Sequence, residues 1–312
     1  MSGEGMAGRR PFRLRLPATS ANVGPGFDAV AVAFDFYLDV EAEAAPEFSI
    51  RATGCDAERC ASLDDNLVIE VYKSVLAENG RPLVPLAIRM ANAIPLGMGC
   101  GSSAAGRLAA ITMAVHFGQL EWDNERIIEE ATRLEGHPDN VAACWAGGFV
   151  AAACEGSAVR YARVEPPAEW RAIVVLPAEP LATSKARAML PASYSMADTV
   201  KNIQSSSLLG LAFAQGRADL LSVAMRDRVH QPYRAPVCPL LPLVLALVGR
   251  HGIAGAALSG AGPAVLAIVE GEEKVAEACA AMQEAVSGHQ QIELRVCRMV
   301  ANGASAQFPE IG

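Results

Sequence analysis

The 312-residue chain has no long basic run, no Cys-x-x-Cys pair and no unbroken apolar stretch of membrane-spanning length. Each absence closes off a class of function. Lys and Arg number 26 against 34 Asp and Glu, for a net charge of −8, so there is no local excess of cations to hold nucleic acid. A small anion stays open as a ligand, because a few main-chain amides and one or two Arg suffice for it. The longest uncharged stretch, 252–269, is broken by Gly255, Ser259, Gly260, Gly262 and Pro263. It reads as strand–loop–strand, not as a membrane span. The basic pair Arg9–Arg10 has no apolar run behind it, unlike a signal peptide. Cysteines 55, 60, 100, 144, 154, 238, 279 and 297 lie mostly among Ala, Val and Leu. They are expected as small buried hydrophobes in a reducing cytoplasm, without metal or disulfide use.

Hydrophobic residues make up 52% and charged residues 19%, which supplies a large core and excludes wholesale disorder. Single cores stop growing near ~250 residues, so two domains are expected, with the Pro-rich segment at 165–170 as the seam. Residues 12–16 alternate as a half-buried strand does, while PATSANVGPGFD (17–28) is turn-rich. Asp64–Asp65–Asn66 caps an expected helix over 67–76. A strand at 86–90, a glycine turn at 95–101, an Ala-rich helix over 102–117 and a helix from about 123 to 134 follow. The second half reads as a strand at 170–176, helices over 198–215, 217–229 and 243–250, strands at 255–259 and 264–269, a helix over 272–287 and a strand at 292–300. Strands and helices without strict alternation predict an α+β fold.

The sharpest feature is Pro95-Leu96-Gly97-Met98-Gly99-Cys100-Gly101-Ser102-Ser103-Ala104-Ala105. Three glycines at every second position permit a tight bend whose amides can approach a ligand. The small residues after them open a helix, whose N-terminal amides favour an anion. The loop contains no Lys and is followed by no Gly-Lys-Ser/Thr, so it is not a Walker A loop. Nor does it have the spacing of the dinucleotide fingerprint.

This loop resembles the second motif of the GHMP kinases. LPATSANVGPGFD (16–28) is similar to that superfamily's N-terminal motif and ALSGAGPAVLAIV (257–269) to its C-terminal glycine motif. With EGHPDNVA (135–142), TSKAR (183–187) and HQPYR (230–234), the pattern resembles the homoserine kinase family within it. The resemblance spans 12–300. It implies an α+β fold of two domains, a ribosomal-protein-like ATP-binding domain (1–168) and a ferredoxin-like C-terminal domain (169–312). It implies ATP with Mg²⁺, and L-homoserine as the phosphoryl acceptor. Homodimers are common in the family, but no exposed apolar stripe identifies an interface here.

Homoserine carries an ammonium, a carboxylate and a hydroxyl, so its site needs a carboxylate, guanidinium groups and neutral hydrogen-bonding groups. Asp28 suits the ammonium, Arg187 and Arg234 the carboxylate, and Asn22 and Asn140 the hydroxyl. The resemblance places substrate contacts at Asn22, Asp28, His137, Asn140, Arg187, Arg234 and Gly260, with Thr183 nearby. It places ATP over residues 95–105. It gives the metal a hydroxyl from Ser103, or Ser102, and a carboxylate from Glu135, with Glu129 and Glu130 as alternatives. Asn140 would orient the hydroxyl, and Asp139 is the candidate base. Cys100, where the family has Leu, and Ala143, where it has Pro, imply altered packing. Two other readings are a mevalonate- or shikimate-type kinase and a non-catalytic sensor of the same fold.

Overall fold

The computed structural model describes residues 11–289 and 291–307. Arg9–Arg10 and the outer ends of the two expected domains lie outside them. In β1 (Phe12–Asn22), Phe12, Leu14 and Leu16 are buried while Arg13 and Arg15 face solvent, as the side-chain period of two requires. The chain turns back into β2 (Gly26–Ala44), antiparallel to β1. β3 (Ser49–Gly54) leads through α1 (Ala57–Ala61) and α2 (Leu67–Glu78) to a parallel partner, β4 (Leu86–Asn92). The long β2 serves further neighbours: residues 38–44 pair with β4, and 30–32 with a later strand, β5.

From β4 the glycine loop enters α3 (Ser102–Gly118), followed by α4 (Asn124–Glu135) and α5 (Asp139–Ala146). The hairpin of β5 (Phe149–Glu155) and β6 (Ala158–Val164) closes a sheet of order β3-β4-β2-β5-β6, with β1 also on β2. α3 has buried residues on every side, as an apolar helix without a polar face must. Its alanines let β1, α2, α4 and α5 crowd around it.

The second sheet begins with β7 (Trp170–Leu176). Helices α6 (Thr183–Ala188), α7 (Met196–Gln215), α8 (Leu221–Ala224), α9 (Gln231–Arg234) and α10 (Leu240–Leu245) then precede β8 (Ile253–Leu258) and β9 (Val265–Glu270). α11 (Val275–Ala285) and β10 (Glu293–Arg298) complete it. The antiparallel order β10-β7-β9-β8 places the four strands as 4-1-3-2, which is ferredoxin-like. The expected α+β class holds. Among the described residues, no helix is long and apolar enough to cross a membrane.

Several expectations are corrected. PATSAN is not turn but the end of β1; only residues 23–25 turn. Its hydroxyls find distant partners: Thr19 Oγ1 donates to Asn140 Oδ1 at 2.7 Å, and Ser20 Oγ lies 2.9 Å from Ser259 Oγ. The expected helix over 217–229 stops at α8. There the Asp227 carboxylate draws the main chain into a loop by accepting from the amides of Val229, His230 and Gln231 at 2.9, 2.8 and 2.6 Å. The helix expected at 243–250 lies earlier, over 240–245, and Pro242 fits its first turn, where no amide partner is needed. β3 and the β5–β6 hairpin went unread. α7 carries an apolar stripe, with Met196, Val200, Ile203 and Leu211 exposed.

The sheets meet where the glycine loop touches the turn after β8. Ser259 is fully buried there, and its hydroxyl donates to the Gly99 carbonyl at 2.7 Å. Ser259→Ala leaves that carbonyl and Ser20 without this partner. It is expected to lower the unfolding free energy by about 1–3 kcal/mol, read from the midpoint of a urea titration at unchanged slope.

Candidate active site

The glycine loop is built so that its carbonyls face the scaffold. The Gly97 carbonyl accepts from the Leu181 amide at 3.1 Å, Met98 from Ala264 at 3.3 Å and Cys100 from Thr19 at 3.1 Å. Gly99 completes the set through Ser259. Four successive carbonyls are therefore held outward. Among the described residues, the amides of 97–101 donate to no protein acceptor, and they adjoin the unpaired first-turn amides of α3. Such a nest of amides at a helix N-terminus binds anions.

Gly97, Gly99 and Gly101 have φ of 71°, 80° and 75°, a region in which side chains are strained. At Gly99 an added Cβ would lie 2.1 Å from the Ser259 carbonyl oxygen, and at Gly101 2.0 Å from Thr19 Oγ1. Pro95 and Leu96 lead into the bend, the Leu96 amide donating to Asp56 at 2.9 Å. The side chains of Met98, Cys100, Ala104 and Ala105 are buried. Burial pushes the Cys100 thiol up to about 12, so it is an inert packing group.

Two cavities meet at this loop. A larger one of about 530 Å³ is lined by Leu96, Ala105, Asn66, Met90 and Pro180, among others. A smaller one of about 140 Å³ holds Asn22, Asp28, Glu135, His137, Asp139, Asn140, Thr183, Arg187, Arg234 and Gly260. Gly97, Ser102 and Ser103 line both. The structure thus gathers the residues expected to bind substrate around the smaller cavity, together with Ser102, Ser103 and Glu135; the alternative metal ligands Glu129 and Glu130 do not line it.

Within it, Arg187 grips Asp28 through Nη1–Oδ2 and Nη2–Oδ1 bonds of 2.9 Å. The pair is part-exposed, at 44% and 31%, and such pairs are worth only about 0–1 kcal/mol. A zwitterion can therefore open it, giving its ammonium to Asp28 and its carboxylate to Arg187. Arg234 is 2% exposed, with Nε 3.3 Å from the Ala186 carbonyl and Nη1 3.3 Å from that of Gly260. Burial and the charge of Arg187 lower its pKa. Asn22 donates to the Gly260 carbonyl at 2.8 Å and accepts from the Asp28 amide at 3.0 Å. It fixes the start of β2 against the turn after β8.

His137 Nδ1 lies 2.7 Å from Asp139 Oδ1, which also accepts from the Asn140 amide at 2.6 Å. Burial opposes the charged imidazolium, but the hydrogen bond and charge of Asp139, with Glu135 and Asp28 nearby, raise the pKa of His137 overall. Asp28, His137 and Asp139 bring one ligating atom each to within 4.8 Å of one another, and the contacts of Asp28 and Asp139 are with Arg187 and His137. Thr19 holds the Asn140 carbonyl oxygen, which leaves the Asn140 Nδ2 group as the donor toward the cavity.

Ser103 Oγ donates to Glu135 Oε2 at 3.0 Å, and Arg107 contacts both groups. Glu130, by contrast, is 3% exposed and bonded to Arg133 at 2.6 Å, and Glu129 faces Arg126 at 3.8 Å. Sequence reasoning missed Arg107, Thr19, Ser259 and His230. Arg107 had a signal, as the one arginine in the Ala-rich helix, four residues after Ser103 and so on its face.

Residues 66–148 match the GHMP kinases N terminal domain model and 211–288 the GHMP kinases C terminal model. A homoserine kinase of Solibacter usitatus is 42% identical over 85% of this chain and 88% of its own. One from Deinococcus radiodurans is 40% identical over 82% and 84%. Among solved structures, a homoserine kinase from Cytophaga hutchinsonii superposes with a TM-score of 0.78 at 24% identity, covering 95% of this chain and 96% of that one. A mevalonate kinase of L. major in complex with R-mevalonate gives 0.71 at 15%, over 93% and 97%, and shares the fold.

The loop packing predicts thiol reactivity. In the folded protein at mildly alkaline pH, iodoacetamide is expected to label exposed Cys154 and to spare Cys100 and Cys144. Peptide mass mapping reads this, and equal labelling of Cys100 would show that the bend does not pack as described.

Proposed function

The chain belongs to the GHMP kinase family, and from that premise we infer the homoserine kinase reaction, transfer of the γ-phosphoryl group of ATP to the side-chain hydroxyl of L-homoserine. The product is O-phospho-L-homoserine, in threonine biosynthesis. One observation carries the reading beyond the relatives' names. The smaller cavity offers two aspartates, two arginines and two asparagines, and it joins the larger cavity at an amide nest. Mevalonate and shikimate lack the ammonium that Asp28 would take, and a non-catalytic sensor would have no need of the junction.

ATP would place its nucleoside in the larger cavity and its phosphates on the amides of residues 97–103. The hydroxyl of Ser103 and the carboxylate of Glu135 form a hard oxygen pair at the helix start, the donor chemistry that suits Mg²⁺. Bound there, Mg²⁺ would neutralise charge on the phosphates. Arg107 holds Glu135 in place through its guanidinium.

Phosphoryl transfer depends on positioning and charge stabilisation more than on a strong base. Asp28 takes the substrate ammonium, and Arg187 and Arg234 take its carboxylate. Asn22 and Gly260 shape the cavity floor, with Thr183 at its edge. Asn140, acting as donor, holds the attacking oxygen in line, and an amide NH₂ takes up no proton. The hydroxyl proton therefore passes to a phosphate oxygen. We assign Asp139 the orientation of His137, because its Oδ1 already serves two donors. Residues 1–168 are assigned to the ATP-binding domain and 169–312 to the C-terminal domain, and the site of action to the cytoplasm.

ADP release should be rapid with L-homoserine and at background with mevalonate or shikimate, and the product should have the mass of O-phospho-L-homoserine. Release with mevalonate alone would overturn the reading. Asn140→Ala should lower kcat by about 10²-fold, the usual loss for one oriented donor, with the KM for ATP unchanged. Full turnover at saturating homoserine would remove Asn140 from its role.

A further inference from the structure

His230 is wholly buried behind the smaller cavity and meets no solvent. Its two ring nitrogens face partners of opposite kind. Nε2 lies 2.8 Å from the Gly24 carbonyl oxygen, which can only accept, and Nδ1 lies 3.1 Å from Arg234 Nη1, which can only donate. The ring must therefore be neutral, with its proton on Nε2 and its lone pair toward Arg234. Burial works in the same direction: it lowers the pKa, and the charge of Arg234 adds to this, against the opposing charges of Asp227 and Asp28.

Each neighbour gives this bond a consequence. Gly24 belongs to the β1–β2 turn, where Val23 and the flanking Asn22 and Asp28 have φ of 45°, 69° and 56°, strained for side-chain-bearing residues. Asp227 caps the His230 and Gln231 amides. Phe27 packs against the imidazole at 5.4 Å, with the Arg234 guanidinium 5.3 Å from the Phe27 ring centre. The other Arg234 contacts are two carbonyls at 3.3 Å, so the imidazole is its nearest fixed acceptor. Among the described residues, Arg234 Nη2 has no hydrogen-bond partner, and it belongs to a residue that lines the cavity.

We propose that His230 is a positioning residue for substrate recognition, its Nδ1 lone pair aiming the Arg234 guanidinium at the substrate carboxylate while its Nε2–H anchors the Asn22–Asp28 turn. The inference rests on the reading of Arg234 as a carboxylate ligand. The two halves of the role separate by substitution. In His230→Asn, Oδ1 replaces the acceptor toward Arg234 and the bond to Gly24 is lost. In His230→Gln, Nε2 keeps the bond to Gly24 and the acceptor toward Arg234 is lost.

The test is steady-state kinetics on both variants with L-homoserine and with its carboxamide, whose neutral group gives a guanidinium no charge to pair with. His230→Gln should raise the KM for homoserine about tenfold, the scale of one charge-assisted hydrogen bond. It should leave the KM for ATP unchanged and have no effect on the carboxamide. His230→Asn should keep the homoserine KM within about twofold while melting at a lower temperature, through loss of the turn anchor. Equal losses on both substrates in His230→Gln, or an unchanged homoserine KM, would overturn the proposal. If Arg234→Met leaves the homoserine KM unchanged, the carboxylate reading itself falls. Nitrogen NMR of histidine-labelled wild-type protein needs no variant to fold. An Nε2–H tautomer for His230 at neutral pH supports the proposal, and an Nδ1–H tautomer or an imidazolium excludes it.

Discussion

The chemistry depends on a main chain that turns its carbonyls away from the place where phosphates would sit. A bend of small residues has no intrinsic preference for presenting amides over carbonyls. Here the choice is made by four neighbours: Leu181, Ala264, Ser259 and Thr19 each bind one carbonyl of residues 97–100. Three of these donors come from the segments around the second sheet and one from β1. The amide nest beside the first sheet is thus shaped largely by segments around the second, and neither set of segments would present the same surface alone. This is electrostatic preorganisation, with the dipoles oriented before the ligand arrives.

The two arginines divide recognition by their surroundings. Arg187 forms a part-exposed pair with Asp28 that costs little to open, so both charges are available to an incoming zwitterion. Arg234 is buried among carbonyls, an imidazole and the Phe27 ring, and has no carboxylate within salt-bridge distance among the described residues. A buried cation without a counter-ion is costly, and a substrate carboxylate would relieve that cost. In the proposed reaction one arginine would exchange partners, and the other would acquire one. A ligand with only one charge satisfies half of this arrangement.

What the sequence revealed depended on how local the cause was. α2 and α4 were legible because their caps, Asn66 and Asp123, and their apolar spacing are encoded within each helix. The glycine loop was legible as a bend, and the site residues became legible as a set through motifs that resemble a known family. The end of β1 was not, because Thr19 and Ser20 look like turn residues until Asn140 and Ser259 arrive from more than a hundred positions away. The loop after α8 was hidden for the same reason in reverse: the spacing over 217–229 suits a helix, and one carboxylate, Asp227, overrides it. Handing residues to partners is a tertiary event that pattern reading does not contain.

Arg107 and the glycines show that a motif's residues need not share one reason. Gly99 and Gly101 lack space for a side chain because protein atoms, Ser259 and Thr19, stand where a Cβ would go. Their absence of side chains therefore lets the loop pack against its scaffold, and the proposed approach of phosphate would be a consequence of that packing. Gly97 is different: a Cβ there would meet the Pro180 side chain at 3.0 Å, on the wall of the larger cavity. Arg107 lies outside the glycine motif yet reaches its serine and the glutamate of α4. It is a cation set among groups that would otherwise concentrate negative charge beside the proposed phosphate site. The division of labour follows from geometry: the glycines admit the scaffold, the amides are left free for the proposed anion, and the arginine that balances charge comes from one helical turn further on.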